Sequence, residues 1–180
     1  MTYPARVKLA PIAGVLLLVF ALVLGGCVIE SQEQIFSRSD IVKVDKEKAQ
    51  KMGFTRIKGG KTYFYQDPKE NDECAEVGFV PLDKRKRLYI ATNFSKTCMD
   101  ERDHYFYVLV DFEDEKFKFF ANKNQEDTAA VRELAKKRGV RLLYDDDKDR
   151  YVSVEKVSKE TMKTFFLAFA DSAYVNSSGD

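Results

Sequence analysis

The side chains in this chain that could ligate a soft metal, form a covalent bridge or exchange a proton near neutral pH are few: Cys27, Cys74, Cys98 and a single histidine, His104. Any triad, histidine acid or multi-histidine metal site has to be built around His104. Asp100, Glu101 and Asp103 precede it, but neighbours on an extended chain point alternately to opposite sides, which separates them instead of gathering them round one ion. The segment reads as a solvated loop that leads into a strand. Asp145, Asp147 and Asp149 carry the spacing that opens an EF-hand calcium loop. Arg150 stands where that loop needs glycine and Lys156 where it needs a bidentate glutamate, so the run reads as an acidic hairpin turn. No metal and no cofactor is expected.

Lys84, Arg85, Lys86 and Arg87 are four successive cations in a turn. Most such runs are simply solvated, but on a protein held at a membrane they could meet anionic headgroups, and they are the candidate binding residues. Tyr63, Tyr65, Tyr89, Tyr105, Tyr107, Tyr144 and Tyr151 fall on expected strands, where several could form an aromatic platform for a glycan or a protein. No nucleophile elbow, zinc-protease helix or phosphate loop is present. A pair of carboxylates acting on a glycosidic bond needs no such motif, and 29 acidic residues leave room for one.

The elements that would position these residues are mostly strands. Phe54 to Tyr65 reads as two strands joined at Gly59 and Gly60, a pair suited to the positive φ angles of a tight turn, with Arg56 opposite Tyr63. A second hairpin runs from Ala75 to Val80, turns over residues 81–87 and returns from Leu88 to Phe94. A third runs from His104 to Phe112, turns at Glu113, Asp114 and Glu115, and returns from Lys116 to Ala121. Its first strand is apolar on both faces, as a central strand is. A helix is predicted over 126–138, stopped by Gly139, and a fourth hairpin over 141–155. Ser158 caps a last helix in which Met162, Phe165, Phe166 and Phe169 form one stripe. A possible short strand lies at Ile41 to Val44, and a helical turn or two follows through Lys46 to Met52. The pattern is α+β: an antiparallel sheet built from successive hairpins with two helices packed on it.

The N-terminus has a different character. Arg6 and Lys8 precede an apolar run from Leu9 through Val23, the order of a secretory signal. Leu24-Gly25-Gly26-Cys27 follows and resembles the lipobox of bacterial lipoproteins. The resemblance covers these four residues and the apolar run. It implies cleavage before Cys27, acylation of that thiol, and a mature protein held to a membrane by its N-terminal lipid. An uncleaved spanning helix is the other reading of the run, and both place the rest of the chain outside the cytoplasm. Val28, not an aspartate, follows the cysteine, which by the same resemblance favours the outer membrane over the inner.

The chain then divides into a signal peptide (1–26), a lipidated N-terminus and tether (27–40), one domain (41–175) and a disordered polar tail (176–180). Residues 28–40 show no repeating apolar face, and extended they would reach roughly 40 Å. The formal charge of +1 falls by two when Arg6 and Lys8 are removed, and so balanced a surface gives no reason to expect a nucleic-acid partner. The expected function is a membrane-anchored, non-catalytic binding or accessory module of the envelope, with a protein or glycan partner. The alternative is a small cell-wall glycan hydrolase that uses paired carboxylates.

With Cys27 consumed by lipid, Cys74 and Cys98 are the remaining thiols in an oxidising compartment, and they bracket the second hairpin. Pairing of its strands brings the two positions to one end, so a disulfide is expected. Closing a loop of about 25 residues contributes roughly 3 to 4 kcal/mol in the chain-entropy account. Cys74→Ala should therefore lower stability by about 3 kcal/mol. Mass spectrometry of a non-reduced digest checks the bridge, and two free thiols in exported protein would refute it.

Overall fold

The first described element is a strand that no sequence pattern marks, β1 (Ile29–Ser31), followed by a strap over residues 32–45 and a short helix, α1 (Lys46–Lys51). Asp45 caps this helix by accepting from Lys48 N at 3.0 Å. The computed structural model describes residues 29–56, 60–66, 73–83, 87–94, 105–120, 125–145, 150–153, 157–172 and 175–177.

Six strands follow, each antiparallel to the next: β2 (Phe54–Arg56), β3 (Tyr63–Gln66), β4 (Glu73–Asp83), β5 (Leu88–Asn93), β6 (Tyr105–Asp111) and β7 (Lys116–Phe120). The first hairpin has the expected register, with Arg56 opposite Tyr63 and Phe54 opposite Tyr65. Glu115 closes the β6–β7 turn in the left-handed region, at φ 54°. A helix, α2 (Gln125–Lys137), and a hairpin, β8 (Leu142–Asp145) and β9 (Arg150–Ser153), come next. The chain ends on α3 (Lys159–Ala170) and β10 (Val175–Ser177).

Both longer helices stop and start where their residues direct. Gly139 takes φ +73° beyond α2, which lets Val140 N donate to Ala135 O and Gly139 N to Lys136 O, the paired bonds of a Schellman cap. Ser158 Oγ accepts from Thr161 N at 3.1 Å to cap α3, and Met162, Phe165, Phe166 and Phe169 are all buried. The fold is thus α+β, an antiparallel sheet of successive hairpins with helices.

Strand alternation divides the core in two. Val80, Leu88, Ile90, Tyr107 and Leu109 point to one face, where they pack with the strap's Ile35, Phe36 and Ile41 and with residues of α2 and α3. Phe54, Tyr63, Val77, Phe79, Ala91, Val110 and Phe112 point to the other, where Ala49 and Met52 of the α1 region cover them. Phe79 sits among three rings, 5.1 Å from each of Phe54, Tyr63 and Phe112, all edge to face. β6 is therefore covered on both sides, as its doubly apolar sequence requires.

Four expectations are corrected. The described part of the expected tether, residues 29–40, is not free: β1 lies inside the sheet, antiparallel to β6 and parallel to β9, with Ile29 and Phe36 fully buried. Three residues are too short a strand to display a period, and the strap beyond it is irregular. Of the expected disordered tail, Asn176 and Ser177 are not free either, since they pair with Phe119 and Lys118 of β7, while residues 178–180 lie outside the described residues. Finally, Pro81 to Asp83 belong to β4 and not to the turn, with a register shift between Pro81 and Asp83. Phe79 turns its carbonyl toward Val42, on the side away from β5, and Pro81 two residues on faces the same way. The missing N–H of Pro81 thus costs the β4–β5 ladder nothing. The expected short strand at Ile41 to Val44 reduces to one bridge, Val42 to Phe79.

Gly78 is fixed by the strap. A Cβ there would lie 2.6 Å from Phe94 Cε2 and 2.7 Å from Ile41 Cγ2. Gly78→Ala should lower stability by about 1 to 3 kcal/mol, read as a fall in the urea midpoint. An unchanged midpoint would mean that Ile41 does not pack on β4.

Candidate functional site

The candidate site is the end of the sheet toward which β1 begins. β1 is antiparallel to β6 and parallel to β9, with Ile29 opposite Tyr107 and Tyr151. Backwards from Ile29, the strand direction leads to the end that carries the β4–β5, β6–β7 and β8–β9 turns. Cys27 lies outside the described residues, two positions before Ile29.

Of the four expected binding cations, Arg87 is described and Lys84, Arg85 and Lys86 are not. Arg87 is exposed at the foot of β5, with φ 54°, and its carbonyl accepts from Phe112 N at 3.2 Å. That bond joins the β4–β5 turn to the β6–β7 turn. Asp111 Oδ1 accepts from Glu113 N at 2.9 Å and Asp114 N at 3.3 Å, which shapes the second turn. α1 neutralises part of this acidic turn: Lys48 Nζ donates to Phe112 O at 2.7 Å, and Lys51 pairs with Glu115 at 2.8 Å.

What fastens β1 and the strap is a pair of buried phenols, one on each face of the sheet. Tyr107 Oη accepts from Ile35 N at 3.0 Å and donates to Glu33 O at 3.2 Å, while Phe36 meets its ring edge-on. Tyr63 Oη accepts from Val44 N at 3.1 Å and donates to Val44 O at 3.2 Å. Burial pushes the Tyr107 phenol well above the ordinary tyrosine value, so it keeps the proton that Glu33 O receives. These two tyrosines are consequently core fasteners, not members of a surface aromatic platform. Tyr89 is half-buried against Phe112. The side chains of Tyr65, Tyr144 and Tyr151 are outside the described set.

Two ion pairs hold the outer side of the strap. Arg38 pairs with both carboxylate oxygens of Glu76 and lies over the Phe94 ring, and Asp40 takes Lys159 of α3 at 2.5 Å. Arg38 holds the Glu76 carboxyl below the ordinary carboxylate range, against the opposing effect of burial. Burial also opposes ionisation of Asp40, but the bonds from Lys159 and Ser37 outweigh it and lower its value too.

His104, Cys98 and the acids Asp100 to Asp103 lie outside the described residues, as does the Cys74 side chain. Phe94 N donates to Glu76 O at 2.7 Å, joining the described ends of β4 and β5. Among the described residues no three acids, histidines or cysteines are grouped to hold a metal ion. The buried acids Glu30 and Asp111 project from opposite faces of the sheet, so they do not form a facing pair. Among the same residues no helix is long and apolar enough to cross a membrane.

A carboxyl whose folded value is depressed stabilises above its ordinary pKa and loses that contribution as pH falls through the folded one. Stability should therefore decline from about pH 5 downward as Asp40 and Glu76 protonate. Asp40→Asn should flatten that decline in a series of melting curves. A variant with the same acid slope as wild type would show that the Asp40 pair contributes nothing to holding the strap.

No family model matches this chain, and no curated protein and no solved structure matches it either.

Proposed function

We infer that the chain is an exported lipoprotein, anchored through Cys27, whose domain serves the envelope as a non-catalytic binding or accessory module. One observation carries the reading: Arg6 and Lys8, the apolar run from Leu9 through Val23 and then Leu24-Gly25-Gly26-Cys27 follow one another in the order of a lipoprotein signal. The cleavage implied by the lipobox resemblance would remove residues 1–26, none of which is among the described residues. The apolar run before Cys27 is then a segment for export, and the lipid takes over as the membrane attachment. Within the domain the conspicuous polar groups have structural employment. Asp111 shapes a turn, Glu76 and Asp40 hold the strap, and the two buried phenols close its backbone bonds. This is the use of polar residues expected of a rigid module that presents surfaces. Its expected partner is an envelope protein or glycan, and the outer membrane is the proposed location.

Palmitate labelling of wild type and Cys27→Ser tests the anchor, because serine cannot form the thioether. Labelling should disappear and the precursor should accumulate in the variant; undiminished labelling would overturn the reading. His104→Ala, introduced into a deletion strain, tests the non-catalytic half. It should complement fully at normal expression, whereas normal accumulation without complementation would make His104 functional and replace the binding module by an enzyme or a metal site.

A further inference from the structure

We propose that β1 is an exchangeable occupant of its own sheet: the slot between β6 and β9 is the partner site of this module, and it takes an extended segment of another protein, aliphatic where β1 carries Glu30. The inference rests on the binding-module reading and deepens it by naming the surface and the chemistry of its partner.

β1 is a poor match for the place it fills. A strand covered on both faces reads as an unbroken apolar run, and β6 beside it does so from Phe106 through Val110. β1 is Ile29-Glu30-Ser31, with all three residues buried and two of them polar. Ile29 packs in the helix-covered core, whereas Glu30, 7 % exposed, is paired with Phe106 and turns with it to the other face. A carboxyl group brought there gives up hydration that partners inside the protein return only in part, and an aliphatic side chain has none to lose. Glu30 therefore holds β1 below the stability that its position allows. Such a conflict between residue type and place in the fold is a mark of functional sites.

The slot itself is made to hold a strand. β6 offers Tyr105 to Tyr107 in antiparallel register and β9 offers Tyr151 to Ser153 in parallel register. These ladders are main-chain bonds, which any residue except proline makes, so they fix the direction of the occupant and not its identity. Side-chain fit at the positions of Ile29 and Glu30 decides the identity. Gln32, next to β1, is exposed, and from Glu33 onward the strap is held separately, by Tyr107 at Glu33 and Ile35 and by the ion pairs of Arg38 and Asp40. β1 thus parts from the strap at Gln32, with only its own ladders and the Ile29 contact to exchange. Because it is tethered, β1 competes at an effective concentration on the order of millimolar. A free segment of the same sequence does not displace it. One that replaces the carboxyl by an aliphatic group does, since it remakes both ladders and the Ile29 contact and removes the deficit at Glu30.

Two fluorescent peptides test the proposal on the full chain, one copying residues 28–35 and one the same with Glu30→Val. The Glu30→Val peptide should raise the anisotropy saturably at micromolar concentrations, and the unchanged copy should not. Its binding should quicken amide exchange of Ile29–Ser31 on the order of tenfold and leave that of Tyr105–Tyr107 slow. Glu30→Val made in the chain itself should raise the urea midpoint and weaken binding of the peptide on the order of tenfold, because β1 then fits its slot. A lowered midpoint would show Glu30 to be a required part of the core and would overturn the proposal. So would absence of binding, equal binding of the two peptides, or binding that leaves the Ile29–Ser31 amides protected. None of these outcomes touches the module reading, which fails on its own if His104→Ala accumulates normally without complementing.

Discussion

A strand laid into the middle of a sheet has no water to satisfy its backbone, so each of its N–H and C=O groups must find a partner in the protein. β1 meets this demand with β6 on one edge and β9 on the other. Past Ser31 the ladder ends and the chain crosses the helix-covered face, where no strand is available to it. Tyr107 takes over there, accepting from Ile35 N and donating to Glu33 O, and Tyr63 does the same for both groups of Val44 after the chain has reached the other face. A buried phenol can accept and donate at one atom, which phenylalanine cannot. Each unmade bond of this kind in a core would cost roughly 1 to 3 kcal/mol, so the position of the N-terminal segment depends on these two hydroxyls.

The same demand explains why the sheet divides at β6. On the edge away from β5, β6 pairs with β1 over Tyr105 to Tyr107 and with β7 over Leu109 to Asp111, and Val108 stands between the two partners. One arm then continues to β10 and the other to β9 and β8. Both polar-looking ends of the described chain are consumed by these arms. β1 fills the gap that β7 leaves, and β10 covers the edge that β7 would otherwise expose. Among the described strands the only parallel pairing, β1 with β9, follows from the same placement, because β1 joins strands that already run in fixed directions.

The hairpins, their order and the two long helices were legible because each carries a period, a cap or a turn residue of its own. Phe165, Phe166 and Phe169 declare a buried stripe, Gly139 a helix stop, and Tyr105 to Val110 a strand covered twice. The strap has none of these. Ile29, Ile35, Phe36 and Ile41 are all buried, yet their spacing fits neither 3.6 nor 2, since what buries them is the surface of other elements. Pro81 misled for a related reason: proline ends a strand only where its N–H would have been used, and that depends on which edge it faces. Of the candidate site, the charge of the turns could be read directly from residues 84–87 and 145–149. Their position on either side of the N-terminal strand could not, since it follows from the insertion of β1 between β6 and β9.

A domain on a long flexible tether presents all its faces to the surroundings in turn, and its composition alone then governs what it meets. Residues 29–44 of this chain form no such tether, because β1 is locked by two ladders and the strap behind it by two phenols and two ion pairs. This segment cannot leave the sheet without breaking those contacts, which act together. The two ends of the sheet are consequently unequal: the β4–β5, β6–β7 and β8–β9 connections share the end from which β1 enters. Which described residues neighbour the N-terminal segment is then a property of strand order more than of surface charge.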